Sequence, residues 1–153
     1  MAKLKIGDIV EINTKFGFAY VQYTHNHKKY GSLLRVLKGF FESRPSDLIS
    51  LAAQVTQFVT FLPLAAATKR GIFSIIGNAP IPEFARQFPV FRCGVSAPGT
   101  NKISIWWLWD GEKEWKVGEL VPEQLMLPIR GVWNDTLLIE RIEEGWLPEK
   151  EGK

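Results

Sequence analysis

The chain has 153 residues, 46% of them hydrophobic and 12% aromatic, with a net charge of +3; this is enough apolar material for one packed core and far too much for a disordered segment. The longest apolar run, Leu62–Ala67, is broken by Pro63 and falls well short of the ~20 residues a membrane span needs, and Gly7, Asp8 and Glu11 interrupt any signal-peptide core. A single cysteine, Cys93, excludes an internal disulfide framework and a thiolate zinc site. These features predict one cytoplasmic domain over 1–153, ordered over about 3–147 with a short polar tail.

Charge is unevenly spread. Residues 1–40 hold seven basic and two acidic side chains, whereas the chain from Asp110 onward holds eleven acidic and six basic ones. Such a two-ended distribution can steer a charged partner.

In chain order, alternation predicts strands over Ile6–Ile12 and Phe16–Val21, followed by an apolar-rich strand over Leu33–Phe41. The intervening Asn13-Thr14-Lys15 and Thr24–Lys29 are expected hairpin loops. Ser46 or Asp47 offers an N-cap for a short helix ending near Gln54, and Thr56–Phe61 reads as a strand because it is β-branched and aromatic. Leu64–Lys69 suits one helical turn closed by Gly71, and Ile72–Ile76 is a further strand, stopped by the two prolines of Gly77–Pro82. Ile103–Trp109, Asp110-Gly111 and Glu112–Val117 form the strongest local pattern, a two-residue hairpin that sets Trp106 opposite Trp115. Asn134 then caps a helix near 135–144, with Leu138, Ile142 and Ile139 on one face, Glu140, Glu143 and Glu144 on the other, and Gly145 as its stop. The expected fold is α+β, mainly β: a bent antiparallel sheet or SH3-like partial barrel with two short helices.

Few groupings point to chemistry. His25 and His27 are the only histidines and lack a third ligand nearby, so no metal is expected. Gly94–Asn101 has phosphate-loop glycine spacing, but Lys102 is displaced and Pro98 removes an amide donor, so it reads as a plain loop. Ser96 lacks the glycine of a nucleophile elbow. Cys93 beside Arg92 invites a lowered thiol pKa, although a small buried residue is the better reading. No catalytic residues and no cofactor are assigned, and an enzyme is not expected.

The tryptophans of 103–109 alternate onto both faces of their strand, which favours core packing, with Trp107 a large core side chain if that strand is central. Phe16, Phe18, Tyr20, Tyr23 and Tyr30 in the basic half imitate a base-stacking platform, but the acidic last third argues against nucleic acid. For a protein partner, Tyr23, His25, His27, Lys28, Lys29 and Tyr30 should project as a cationic, aromatic hairpin loop, extended by Arg35 if that side chain faces outward. The acidic face of Glu140, Glu143 and Glu144 is the alternative surface.

Lys5–Ile12, Ala19–Tyr23, Leu34-Arg35-Val36, Gly77–Pro82 and Trp107–Gly111 together resemble the immunity protein 26 family of bacterial polymorphic toxin systems. The resemblance covers most of the chain in order. It implies a small β-rich cytosolic protein that binds and neutralises a toxin encoded at its own locus, with no catalytic residues. The other reading is an SH3-like nucleic-acid- or protein-interaction module unconnected with toxins.

Overall fold

The computed structural model describes residues 3–96, 99 and 103–151. Within them the fold is mainly β, with eight strands in two antiparallel sheets and three short α-helices. Contacts group the chain into two compact units. The first runs to Gln87 and includes Gly131–Trp146; the second comprises Phe88–Arg130 and the chain from Leu147 on.

The first unit is built on an open sheet of five strands, β1 (Asp8–Thr14), β2 (Gly17–His27), β3 (Gly31–Leu37), β4 (Thr56–Phe61) and β5 (Phe73–Asn78), in the order β4-β3-β2-β1-β5. Along β1–β3 consecutive residues are buried, so both faces of the sheet are covered there. Ile9, Tyr20 and Leu37 pack against Leu51 and Ala52 of helix α1 (Leu48–Ala52). On strand β4, paired to Val36, Phe58 meets the rings of Trp133 and Trp146, at 5.4 and 5.2 Å between centroids. Helix α3 (Asp135–Glu144) buries Leu138 and Ile142. Helix α2 (Leu64–Lys69) forms where one helical turn was expected.

The ends of these elements follow from their caps. The Asp47 carboxylate accepts from the amides of Ile49 and Ser50, both at 3.1 Å, and starts α1. Asn134 does the same for α3, accepting from the Leu137 amide at 2.7 Å, and Gly145 ends it.

The second unit holds β6 (Phe91–Ser96), β7 (Ile103–Trp109) and β8 (Glu114–Gly118), with β7 in the middle. Two expectations change here. Gly94–Ser96 belong to β6 rather than to a loop; of the phosphate-loop stretch, residues 97, 98 and 100–102 lie outside the described residues. The β7–β8 turn is four residues long, because Asp110 folds back to accept from the amides of Glu112 and Lys113 at 3.0 and 2.8 Å. Adding two residues shifts the register, so Trp115 faces Leu108 and Trp106 faces Gly118. Residues 148–151, expected as tail, form a 3₁₀ turn whose Pro148 carbonyl accepts from Arg92 at 2.7 Å. Among the described residues no helix is long and apolar enough to cross a membrane.

Candidate interaction surfaces

The β2–β3 hairpin carries the residues expected to meet a partner, and its geometry divides them. β2 continues through Thr24, which is buried, to His27, so the loop narrows to Lys28-Lys29-Tyr30 between the paired His27 and Gly31. Lys28 and Lys29 are exposed at the tip. His27 Nδ1 accepts from the amides of Lys29 and Tyr30 at 3.1 and 3.3 Å, which ties the ring to the turn. The Tyr30 ring lies 5.3 Å from buried Phe61, which anchors the turn from beneath.

Two residues sit further down the strand. His25 Nε2 donates to the Arg86 carbonyl at 2.8 Å, and its Nδ1 lies 2.9 Å from the Thr24 hydroxyl. Tyr23 is half-buried, and burial pushes its hydroxyl pKa above the usual value.

Arg35 does not extend this surface. It is 1% exposed and paired with Gln22 across the β2–β3 ladder, on the sheet face that supports α1. Its Nε donates to Gln22 Oε1 at 2.9 Å; one terminal nitrogen donates to the Gln54 carbonyl at 3.2 Å and the Thr56 hydroxyl at 3.0 Å, and the other to the Ala52 carbonyl. The C-terminal end of α1 presents carbonyls that the helix itself leaves unbonded, and a five-donor guanidinium satisfies them. Burial pushes the Arg35 pKa down to about 10. The condition for Arg35 to extend the hairpin surface, an outward-facing side chain, is not met, because α1 covers this face of the sheet.

Gln22 links Arg35 to the motifs of the amino-terminal resemblance. Its Nε2 donates to the carbonyls of Gly7 and Ala79 at 3.3 and 3.0 Å. Asn78 donates to the Ile6 carbonyl at 3.0 Å and to the Asp8 carboxylate at 2.9 Å, and the Ala79 amide donates to the Gly7 carbonyl at 3.1 Å. Gly7 has φ +97°, and a Cβ there would stand 2.8 Å from the Ala79 oxygen, so no other residue fits that crossing. Gly7-Asp8 and Gly77–Pro82, seventy residues apart in sequence, therefore form one structural junction.

The acidic helix is partly engaged. Glu143 accepts from the Lys15 amide at 2.9 Å and Glu144 lies 3.9 Å from Arg141, while Glu140 is exposed. Beside it stands a feature the sequence did not single out: Phe16 and Phe40, 56% and 41% exposed, meet edge to face at 5.4 Å. The Lys-Phe-Gly and Lys-Gly-Phe triplets at 15–17 and 38–40 were its only sequence trace. Of the other rings in the imagined stacking platform, Tyr20 is buried, its hydroxyl donating to Glu11 at 2.8 Å, and Phe18 is half-buried.

In the second unit, Arg92 and Cys93 point to opposite faces of β6. Arg92 is fully buried, over the Trp106 ring at 4.9 Å, and donates to the carbonyls of Leu127 and Pro148. Cys93, Gly94, Val95, Trp107, Glu114 and Arg130 line an open groove of about 250 Å³. The thiol donates to the Trp107 carbonyl at 3.7 Å, and burial pushes its pKa up, against the lowered value its neighbour suggested. Among the described residues no three His, Cys, Asp or Glu side chains are placed to hold a metal ion.

Comparison with family models, characterised proteins and solved structures returns no match to this chain.

Proposed function

We propose that this chain is a bacterial immunity protein that acts in the cytoplasm, binding a cognate polymorphic toxin directly and neutralising it without catalysis. The observation that carries this reading is the junction of Gly7-Asp8, Gln22, Arg35 and Gly77-Asn78-Ala79. Four separate segments of the family resemblance meet there in one hydrogen-bonded unit. These segments lie on neighbouring strands of one sheet, and the shared junction supports reading them as a single structural unit.

The scaffold also suits the task. A binder needs rigid side chains at its surface more than a reactive group. The hairpin tip offers Lys28 and Lys29 above a Tyr30–Phe61 anchor, a cationic surface for an acidic partner.

Co-expression with the product of the adjacent gene tests the reading. The expected result is relief of growth arrest together with a complex that survives size-exclusion chromatography. A neighbouring product that is harmless, or that arrests growth equally with and without this chain, would overturn it.

A further inference from the structure

We infer that a second surface, at the opposite end of the hairpin from Lys28-Lys29, docks a cationic, arginine- or lysine-bearing segment of a protein partner through the Phe16–Phe40 pair and the adjoining carboxylates of α3. It deepens the binding reading above and rests on it for the existence of a protein partner.

Phe16 occupies the β1–β2 turn and Phe40 the segment after β3. Two exposed phenylalanines in contact are costly to solvate singly and are the residue type that anchors interfaces. They are also held in place. The Phe18 amide donates to the Phe41 carbonyl and the Phe41 amide to the Phe18 carbonyl, both at 2.8 Å, so the two segments are clamped just behind the rings. Gly17, at φ +119°, lets the Phe41 carbonyl approach to within 2.8 Å of where a Cβ would be. Rings positioned before binding lose little conformational entropy when a partner arrives.

The partner's charge follows from what surrounds the rings. Lys15 Nζ lies 5.3 Å from the Phe16 centroid, so a ring face here already accepts an ammonium group. The Lys15 amide is bound by Glu143, which brings the carboxyl end of α3 to the same turn. That end carries Glu140, Glu143 and Glu144 at spacings that share one helix side, together with the negative pole of the helix. Aromatic faces beside carboxylates recognise a cation by two additive means: the ring quadrupole and direct ion pairing. Lys15 and Lys38 at the rim oppose this charge, but both are exposed, long side chains whose charged ends stay solvated.

The test uses the full chain and two probes. Titration of isotope-labelled protein with an (Arg-Gly)₅ peptide, with (Glu-Gly)₅ as control, should give saturable amide shifts centred on residues 15–17, 39–41 and 140–144. Phe16→Ser with Phe40→Ser, verified as folded by an unchanged unfolding midpoint, should weaken binding about tenfold. Shifts scattered over every acidic site, or equal binding by (Glu-Gly)₅, would overturn the assignment. In the complex with the adjacent gene's product, the same double variant and Glu140→Lys should raise the dissociation constant, whereas Lys28→Glu with Lys29→Glu should act on the other surface. If growth rescue persists and these variants leave affinity unchanged, the surface is wrong and the immunity reading stands. If rescue fails while the arginine peptide still maps to the rings, the surface stands and the immunity reading falls.

Discussion

Arg35 and Arg92 are both buried arginines, one in each unit, and they are held by different means. Arg35 sits between a β-ladder and a helix end, with a glutamine side chain, a hydroxyl and two backbone carbonyls as acceptors. Arg92 reaches from a strand to irregular segments, the carbonyls of Leu125, Leu127 and Pro148, and rests on Trp106. The difference reflects the sheets around them. Strands β1–β3 are buried on both sides, so apolar packing fixes the first unit and Arg35 completes one helix end. The three-stranded sheet leaves Val95 and Trp115 exposed and buries much less. There a single guanidinium ties loops to the strand that hydrophobic contacts alone would hold weakly.

The largest expected effect contrasts the two faces of β7. Trp106, 6% exposed and stacked on Arg92, should cost about 3–5 kcal/mol when changed to Ala, as other buried aromatic truncations do. Trp107 lines the open groove and is only half-buried, so Trp107→Ala should cost about 1–2 kcal/mol. Denaturant unfolding measures both. Equal losses would mean the two faces of this sheet are equally enclosed, against the one-sided burial assigned to the second unit.

Next come the arginines themselves. Arg35→Met removes every donor to Gln22, Ala52, Gln54 and Thr56 and should cost about 3 kcal/mol, since buried acceptors are left unpaired. Arg92→Met, whose bonds to Leu127 and Leu125 are long at 3.4 and 3.5 Å, should cost about 2 kcal/mol. Amide hydrogen exchange adds the location. Protection should fall around α1 and β3 in the first variant, and around residues 122–130 and 148–151 in the second. A loss of protection spread evenly over both units would contradict the local roles assigned to the two side chains.

Much of this was legible in the sequence and some was not, for physical reasons. β4, β7 and α3 have the boundaries that composition and caps predict, because β-branched runs, Asn134 and Gly145 are local signals. The β7–β8 turn was misjudged by two residues because Asp-Gly favours a tight turn, while the Asp110 carboxylate, by capping two amides, favours a longer one. The position of Arg35 could not be read locally. Alternation says which residues share a face, but not which face the helix at Leu48–Ala52, beginning thirteen residues further on, will cover. The same holds for Phe16 and Phe40, which become neighbours only when β2 pairs with the segment after β3.

The smallest effects separate one carboxylate–arginine pair of the first unit from one of the second. In the first unit Glu11 is buried, accepts from the Tyr20 hydroxyl, and is gripped by Arg44 at 2.9 and 3.0 Å. The Arg44 hydrogen bonds, aided by Tyr20, hold its pKa below the ordinary 4.5 in spite of desolvation. A lowered folded-state pKa means that the unfolded chain binds more protons in that window. The stabilisation is therefore present above pH 4.5 and lost as pH falls through the folded value. Tyr20 acts at the other limit. Burial, with Glu11 beside it, raises its pKa above the ordinary 10.0, so its contribution is complete below pH 10 and lost as pH climbs beyond. In the second unit Glu114 meets Arg130 at 2.8 Å, but its side chain is half exposed, where such pairs contribute ~0–1 kcal/mol and salt screens them. Unfolding midpoints followed from pH 7 down to pH 3 should thus fall less steeply in Glu11→Gln than in the parent, while Glu114→Gln should track the parent throughout. A steeper acid limb in Glu11→Gln, or a flattened one in Glu114→Gln, would show that the enclosed carboxylate is not the group that ties the first unit's stability to pH.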